Sequence, residues 1–488
     1  MREIQHPPHA ASLLESMRSI GYTLESALAD LIDNSLSAKA KDINIEFRPF
    51  VDPYIALIDN GVGMSPEVLE SAMRHGSTNP LAARGIDDMG RYGLGLKTAS
   101  LSQCRRMTVV SKQGNVVSAF CWDLDVVIKK GSWVMLALDS VDYEAVPHFS
   151  ELMGQRSGTI VLWQNLDKLT AGEASAESAL GDKMLYAREH LSLVFHRFLI
   201  KEGSKHRVNM SINGNPLAAV DPFFSSHKST QPLDDDSFSV EGQRVLVKPF
   251  ILPHASKLST QEVLLAGGNE GVRNQQGFYI YRNRRLIIWG TWFRLARKDE
   301  LSKLARVRVD IPNSLDHLWT LDIKKSAAHP PEAVRANLKR TVERIRAVSG
   351  RTIAFKGRKV ESSEIVPGWH EILDRDGFRY DINRDHPLVK EYCRTLSPEE
   401  MSAFKLVLSV IESTFPADAL YSRMAADVRP DFNADSVTDK IYILARELFS
   451  NMATDSVSRK RILATLHLIE PFSLHPELTK RIIEEYMS

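Results

Sequence analysis

Three short segments hold residues whose types and spacing could do chemistry. ADLIDN (residues 29–34) places Asp30 and Asn34 four apart, with Asp33 beside them. On a helix, that spacing puts Asp30 and Asn34 on one face. A carboxylate and an amide held this way can orient water and complete the shell of a Mg²⁺ that keeps most of its own waters. An ordinary polar helix face would read the same way. In IDNGVGM (58–64), Asp59 leaves an apolar strand and Gly61 and Gly63 follow. Such an Asp can accept a hydrogen bond from an exocyclic amine, while glycines let a flat ring approach the backbone. A tight turn after a strand is the other explanation. In MGRYGLGLKTAS (89–100), Gly90, Gly93 and Gly95 precede a helix beginning near Lys97. Glycines opening a helix expose its first amides, which bind phosphate, and Lys97 adds a point charge. The GxxGxG order is neither the Walker A sequence nor the dinucleotide fingerprint.

The flanking patterns supply the elements that must position these residues. Apolar positions 24, 28, 31 and 32 recur at helical spacing within 23–38, and strands follow at 43–47 and 54–58. Ser65 before Pro66 opens a helix running to about His75. Further strands are expected at 107–111, 116–122, 133–138 and 159–163, and a helix at 180–199. Beyond 200, strands are expected at 244–250, 277–281 and 307–311, with a long helix at 332–348. Residues 350–395 read as an irregular connector. From Ser397, where Ser-Pro-Glu-Glu forms a capping box, the pattern is helical to the end.

The 488 residues suggest about three domains. With 43% hydrophobic and 25% charged residues, disordered and low-complexity classes are excluded. Three cysteines cannot build a disulfide framework and lack zinc-site spacing, so a reduced, cytoplasmic setting is expected. The first residues lack an unbroken apolar run, so no signal peptide is expected. No segment reaches the length of a membrane span, and no membrane partner is expected. The formal charge of +1 hides an asymmetry. Residues 273–359 hold 21 Lys/Arg and 7 Asp/Glu, a net of +14, so the rest carries −13. Arg282, Arg284 and Arg285 crowd one turn there, and Arg335, Lys339 and Arg340 follow on a helix. Nothing in the stretch suggests base readout, so salt-sensitive contacts to a double-stranded DNA backbone are expected. A solvated basic face is the alternative.

Taken in order, the three segments and a fourth, SGTIVLW (157–163), resemble the GHKL ATPase family of gyrase, heat-shock chaperones, histidine kinases and MutL. GRYGLGLKTAS, SGTIVLWQNLD and GFYIYRNRRLI (277–287) are most similar to the MORC and MutL branch. The resemblance implies an α+β chain in three parts. These are a Bergerat-type α/β sandwich ATPase domain (1–175), an α/β transducer domain (176–350), and a connector with a helical region (351–488). It implies ATP and Mg²⁺ as ligands, with Asn34 on the metal and Asp59 on the adenine amine. Gly61, Gly63 and Met64 would line the base, and Thr159 would support Asp59. Gly90, Gly93, Leu94, Gly95, Leu96 and Lys97 would wrap the phosphates, and residues 76–89 would form the lid. Lys324 or Lys325 would reach the γ-phosphate from the transducer.

One departure from the family stands out. Asp30 occupies the place of the water-activating Glu and is one methylene shorter, about 1.5 Å of reach. Slow hydrolysis is the expectation, with Asp33 as second choice of base. The resemblance further implies an ATP-dependent homodimer that clamps DNA in repair, restriction or antiviral defence, alongside a separate nuclease. The arm before Ser16, including His6 to His9, is a candidate strap across the partner subunit. A heat-shock-type chaperone and an ATP-bound, non-hydrolysing assembly scaffold are the alternatives.

Overall fold

Alternation along the strands builds the first layer of the computed structural model. The sheet collects β1 (Asp42–Arg48), β2 (Tyr54–Asp59), β3 (Arg106–Gln113), β4 (Val116–Asp123), β5 (Leu136–Ala137), β6 (Ser157–Gln164), β7 (Asn209–Ile212) and β8 (Asn215–Pro216). Their order is β5-β4-β3-β6-β2-β1-β7-β8. Ile55 and Leu57 of β2, Met107 and Val109 of β3, and Val161 and Trp163 of β6 enter one core. Ala56, Ile58, Val110, Ile160 and Leu162 enter a second core on the opposite face. This is the period of two that strand geometry imposes. The structure describes all residues except 1–2, 4–7, 20, 76–94, 174, 204, 269–270, 300–301, 316–317, 319, 322–327, 355–364, 375–376, 417–433, 452–455 and 488.

Helices cover the first face: α1 (Ala10–Arg18), α2 (Leu24–Ser37), α3 (Pro66–Met73), α4 (Gly95–Gln103) and α5 (Ala176–Val194). Thr23 caps α2 by accepting from the Ser26 amide. Ser65 caps α3 through Val68, with Pro66 at the first helical position. Leu28, Ala29, Leu31 and Ile32 of α2 are all buried, so this helix lies at the centre of the layer rather than on its surface. Helix α1 packs on its own domain: Ala10 and Leu14 are buried, and Arg18 pairs with Asp167 and donates to the Leu101 carbonyl at 2.7 Å. From Ala10 onward the expected strap is therefore an integral helix; His6 and Pro7 lie outside the described residues.

Two expectations about the first layer need correction. The first domain does not end at 175. Strand β7 pairs in parallel with β1, Asp42 opposite Asn209. Leu180, Met184, Ala187 and Leu191 of α5 belong to the same core as α2. The layer closes only near Leu217, because the chain returns to complete the sheet after α5. The strand expected at 133–138 shrinks to Leu136–Ala137, because Trp133 packs instead against His75 and Trp122.

The second sheet gathers β9 (Gln231–Pro232), β10 (Asp236–Val240), β11 (Gln243–Ile251), β12 (Gly277–Arg282), β13 (Arg285–Thr291) and β14 (Ala305–Ile311). Its order is β10-β11-β14-β12-β13, with β9 beside β11. Helix α6 (Glu332–Ala354) buries Val334, Leu338, Val342 and Ile345 against one face, a stripe at helical spacing. The other face buries Tyr279, Tyr281 and Leu286 with Phe223, and Leu193 of α5 packs there. The chain divides into two compact units, Met1–Ala354 and Phe355–Ser488.

In the second unit, the stretch expected to be an irregular connector forms a hairpin, Trp369–Asp374 with Gly377–Ile382, and a helix, Pro387–Thr395. The helical pattern after Ser397 gives helices at Pro398–Ser413, Ala434–Asn451, Ser456–Thr465 and Pro476–Met487. The first of these opens with the capping box at Ser397 and Glu400. Phe449, Leu466, Phe472 and Ile482 centre its core. No described helix is long and apolar enough to cross a membrane.

Candidate active site

Asp59 continues the 55, 57, 59 alternation of β2 and so turns toward the helices. There, Ser35 Oγ of α2 donates to Asp59 Oδ2 at 2.8 Å, and the Gly61 amide donates to Oδ1 at 2.8 Å. Burial pushes the Asp59 carboxyl up from its ordinary range, while the Gly61 amide, the Ser35 hydroxyl and the Thr159 amide pull it down. Two oxygens offer about four lone-pair sites, so a carboxylate fixed this way keeps acceptor capacity for an incoming amine.

Thr159 stands opposite Asp59 in register, and its hydroxyl lies 3.0 Å from Ser111 Oγ. Ser111 also accepts from the Met64 amide at 2.9 Å. This holds the glycine turn down on β3. Gly63 has φ +67°, and a Cβ there would lie 2.0 Å from the Lys112 carbonyl oxygen. A Cβ on Gly158 would lie 2.2 Å from the Asp59 carbonyl oxygen, and one on Gly61 would lie 2.9 Å from Ala38. Backbone contacts this close allow only glycine. The glycine turn after β2 is therefore packed directly against the main chain of β3.

Asp30 sits on α2, buried, and its Oδ2 accepts from Tyr22 Oη at 3.2 Å. Gly95 opens α4 against it: a Cβ at Gly95 would stand 3.7 Å from Asp30 Oδ2. The amides of Gly95, Leu96 and Lys97 lie in the first described turn of α4. Asn34, one turn beyond Asp30, is exposed. Acid, amide and helix N-terminus thus border one space.

Lys97 departs from expectation. Its Nζ donates to the Ala72 carbonyl at 2.8 Å, near the end of α3, and the side chain is buried. Burial pushes its ammonium down to about 8. The expected point charge is thus held on α3. Next to it, His75 is packed 5.1 Å from Trp122 and 5.5 Å from Trp133. Burial, and then the charge of Lys97, push its imidazole down to about 4.

The arginines of the β12–β13 turn are the second correction. Arg282 and Arg285 are buried, 6% and 7% exposed, and Arg284 pairs with Glu202 at 3.0 Å while lying over the Phe198 ring. Buried, paired guanidiniums do not form a solvent-facing DNA surface. Arg285 points instead to the acids of α2: Nη1 is 2.6 Å from Asp33 Oδ2, and Nη2 is 3.5 Å from Asp30 Oδ1. Asp33, the second-choice base, is therefore engaged by an arginine. On α6, Lys339 and Arg340 are exposed and Arg335 is half-buried, beside Glu332. Gly90, Gly93, Leu94, the lid at 76–89, Lys324 and Lys325 lie outside the described residues. Among the described residues, no group of three or more His, Cys, Asp or Glu could hold a metal ion. Asn34 alone suits an ion that draws its other ligands from water and phosphate.

Sequence reasoning missed Ser35, Ser111, Gly158 and Tyr22. Gly158 was detectable by its adjacency to Thr159, whereas Ser111 meets Thr159 only across the β3–β6 pairing. Tyr22 and Arg285 carried no local signal.

The buried carboxylate held by Ser35 and Gly61, the acid-amide helix and the first described turn of α4 stand where the GHKL resemblance expects them. Residues 22–159 match the family described as Histidine kinase-, DNA gyrase B-, and HSP90-like ATPase. ATPase morc-1 of Caenorhabditis elegans is 33% identical over 95 residues, 19% of this chain and 11% of that protein. The DNA mismatch repair protein MutL of Kosmotoga olearia is 32% identical over 94 residues, 18% of this chain and 15% of that protein. The DNA mismatch repair protein PMS1 of Arabidopsis thaliana is 32% identical over 94 residues, 19% of this chain and 10% of that protein. The chain thus spans no more than 15% of the length of these relatives. Among solved structures, the N terminal domain of a DNA repair protein aligns with a TM-score of 0.43 at 15% identity, covering 70% of this chain and 99% of that one.

Proposed function

We propose that this chain is a slow ATPase that dimerises on ATP and holds double-stranded DNA by its backbone. The observation that carries the nucleotide assignment is Asp59, a buried carboxylate fixed by Ser35 and by the Gly61 amide. Asp59 accepts from the adenine amine, and Gly61, Gly63 and Met64 line the base, with Thr159 fixing the strand opposite. The amides of Gly95, Leu96 and Lys97 meet phosphate, together with Gly90, Gly93 and Leu94. Asn34 holds Mg²⁺, which supplies charge neutralisation on the phosphates. Asp30 takes the proton from the attacking water. Its short side chain limits the rate, because a general base must come within about 3 Å of that water. Lys324 or Lys325 meets the γ-phosphate, and the separate Ala variants distinguish them.

The names of the relatives, an ATPase and DNA mismatch repair proteins, support a role connected to DNA. The exposed Lys339 and Arg340, with Arg335, are the described candidates for phosphate contact. ATP shifts an open chain toward a closed dimer only if it binds the dimer better. Such a clamp fits repair, restriction or antiviral defence in the cytoplasm, with a nuclease as a separate partner. The test is sizing with and without a non-hydrolysable ATP analogue, then with closed-circular and linear DNA. A nucleotide-dependent dimer that retains circles and releases linear DNA supports the clamp. A protein that stays monomeric and ignores DNA overturns it.

A further inference from the structure

The β12–β13 turn joins the second sheet to the acids of α2. Asn283 and Arg284 occupy its two central positions, with φ 48° and 71°. Two left-handed residues make the tight turn that matches strand twist. Arg284 donates to Glu202 at 3.0 Å and to the Arg197 carbonyl, which fixes the turn on the helical layer. Arg285, the next residue, spans Asp33 at 2.6 Å and Asp30 at 3.5 Å. All three of these side chains are 10% exposed or less. Removing one partner of such a buried pair leaves uncompensated charge, so the geometry is held firmly. A planar guanidinium also fixes the angle between two carboxylates, which an ammonium does not.

We propose that Arg285 is a positioning residue for hydrolysis: anchored on Asp33, it sets the orientation of Asp30, so that the second sheet governs the carboxylate that faces the attacking water. The inference rests on Asp30 as base in the ATPase assigned above. Arg285 touches no reacting atom. Its effect falls on the hydrolytic step and not on ATP affinity.

The test is single-turnover hydrolysis of radiolabelled ATP by the full chain, with calorimetric ATP affinity measured alongside. Arg285→Gln should slow hydrolysis tenfold or more at saturating ATP with affinity within threefold of wild type. Arg285→Lys should recover part of the rate. Asp33→Asn, which removes the anchor and leaves Asp30 in place, should also slow hydrolysis at unchanged affinity, and it decides the matter if Arg285→Gln does not fold. A loss of affinity at an unchanged saturating rate would overturn the inference, because Arg285 would then serve ground-state binding. Equal losses in the Gln and Lys variants with lowered melting temperatures would also overturn it, leaving only packing. An unchanged rate in Arg285→Gln and Asp33→Asn, with intact binding, sinks the role of Arg285 alone. Wild type that binds ATP without turnover overturns the inference and leaves the nucleotide site standing. Wild type that binds no ATP sinks the site itself.

Discussion

Ser35 Oγ donates to Asp59 Oδ2 at 2.8 Å, so the helix that carries Asp30 and Asn34 also fixes the carboxylate at the end of β2. One helix therefore sets the spacing between Asp59 and the pair Asp30 and Asn34. Asp59→Asn should weaken ATP binding at least tenfold by calorimetry, since a charged acceptor is worth about 1.5–3 kcal/mol. Ser35→Ala should weaken it less, about threefold. An Asp59→Asn variant that binds as tightly as wild type would remove the adenine assignment.

Asp30→Asn keeps the shape of the side chain and removes its basicity. ATP affinity should hold within about threefold while turnover falls roughly a hundredfold, the lower end for general-base catalysis. Phosphate-release assays at saturating ATP measure this directly. Equal rates in the two proteins would rule out Asp30 as the base.

Gly63→Ala places a methyl group 2.0 Å from the Lys112 carbonyl oxygen at a φ of +67°. The strain should cost about 1–3 kcal/mol and lower the melting temperature by several degrees. Gly114→Ala has open space around it at a similar φ of +62° and should cost less. Equal melting temperatures for the two variants would refute the close approach.

Acid should destabilise the protein before ordinary carboxylates titrate. Burial pushes His75 and His190 down to about 4 from 6.5, so the folded state resists protons that the unfolded chain accepts. The stability is complete above pH 6.5 and is lost as pH falls toward 4. Each ring contributes on the order of 3 kcal/mol. Asp59, pushed the other way, opposes this trend only nearer its own range. Denaturant midpoints measured from pH 7 to 4.5 should fall for wild type and fall less for His75→Phe.

Lys97→Met separates the ammonium from the amide. With Nζ held on the Ala72 carbonyl and its ammonium pushed down to about 8, the charge is a burden to the fold. The variant should melt at or above the wild-type temperature and bind ATP within about threefold. A tenfold loss of affinity would mean that the ammonium reaches phosphate.

Local chemistry was legible in the sequence; long-range pairing was not. Caps at Ser65 and Ser397 and the alternation in β2, β3 and β6 depend on neighbours a few residues away, and the pattern records them. Asp59 could be placed on the helix side because side-chain direction follows strand parity. The arginines of the β12–β13 turn read as a basic patch because composition counts charge and is blind to Asp30, Asp33 and Glu202, which meet them only in the fold. The end of the first domain was misplaced because β7 returns to β1 in parallel, a pairing with no local signature.

That return has a practical meaning. A recombinant fragment cut at 175 would strip α5 from the hydrophobic underside of α2 and leave β1 as a raw edge with unpaired amides, inviting aggregation. The smallest piece worth expressing carries β7 and β8 with it, and its tail passes Leu217.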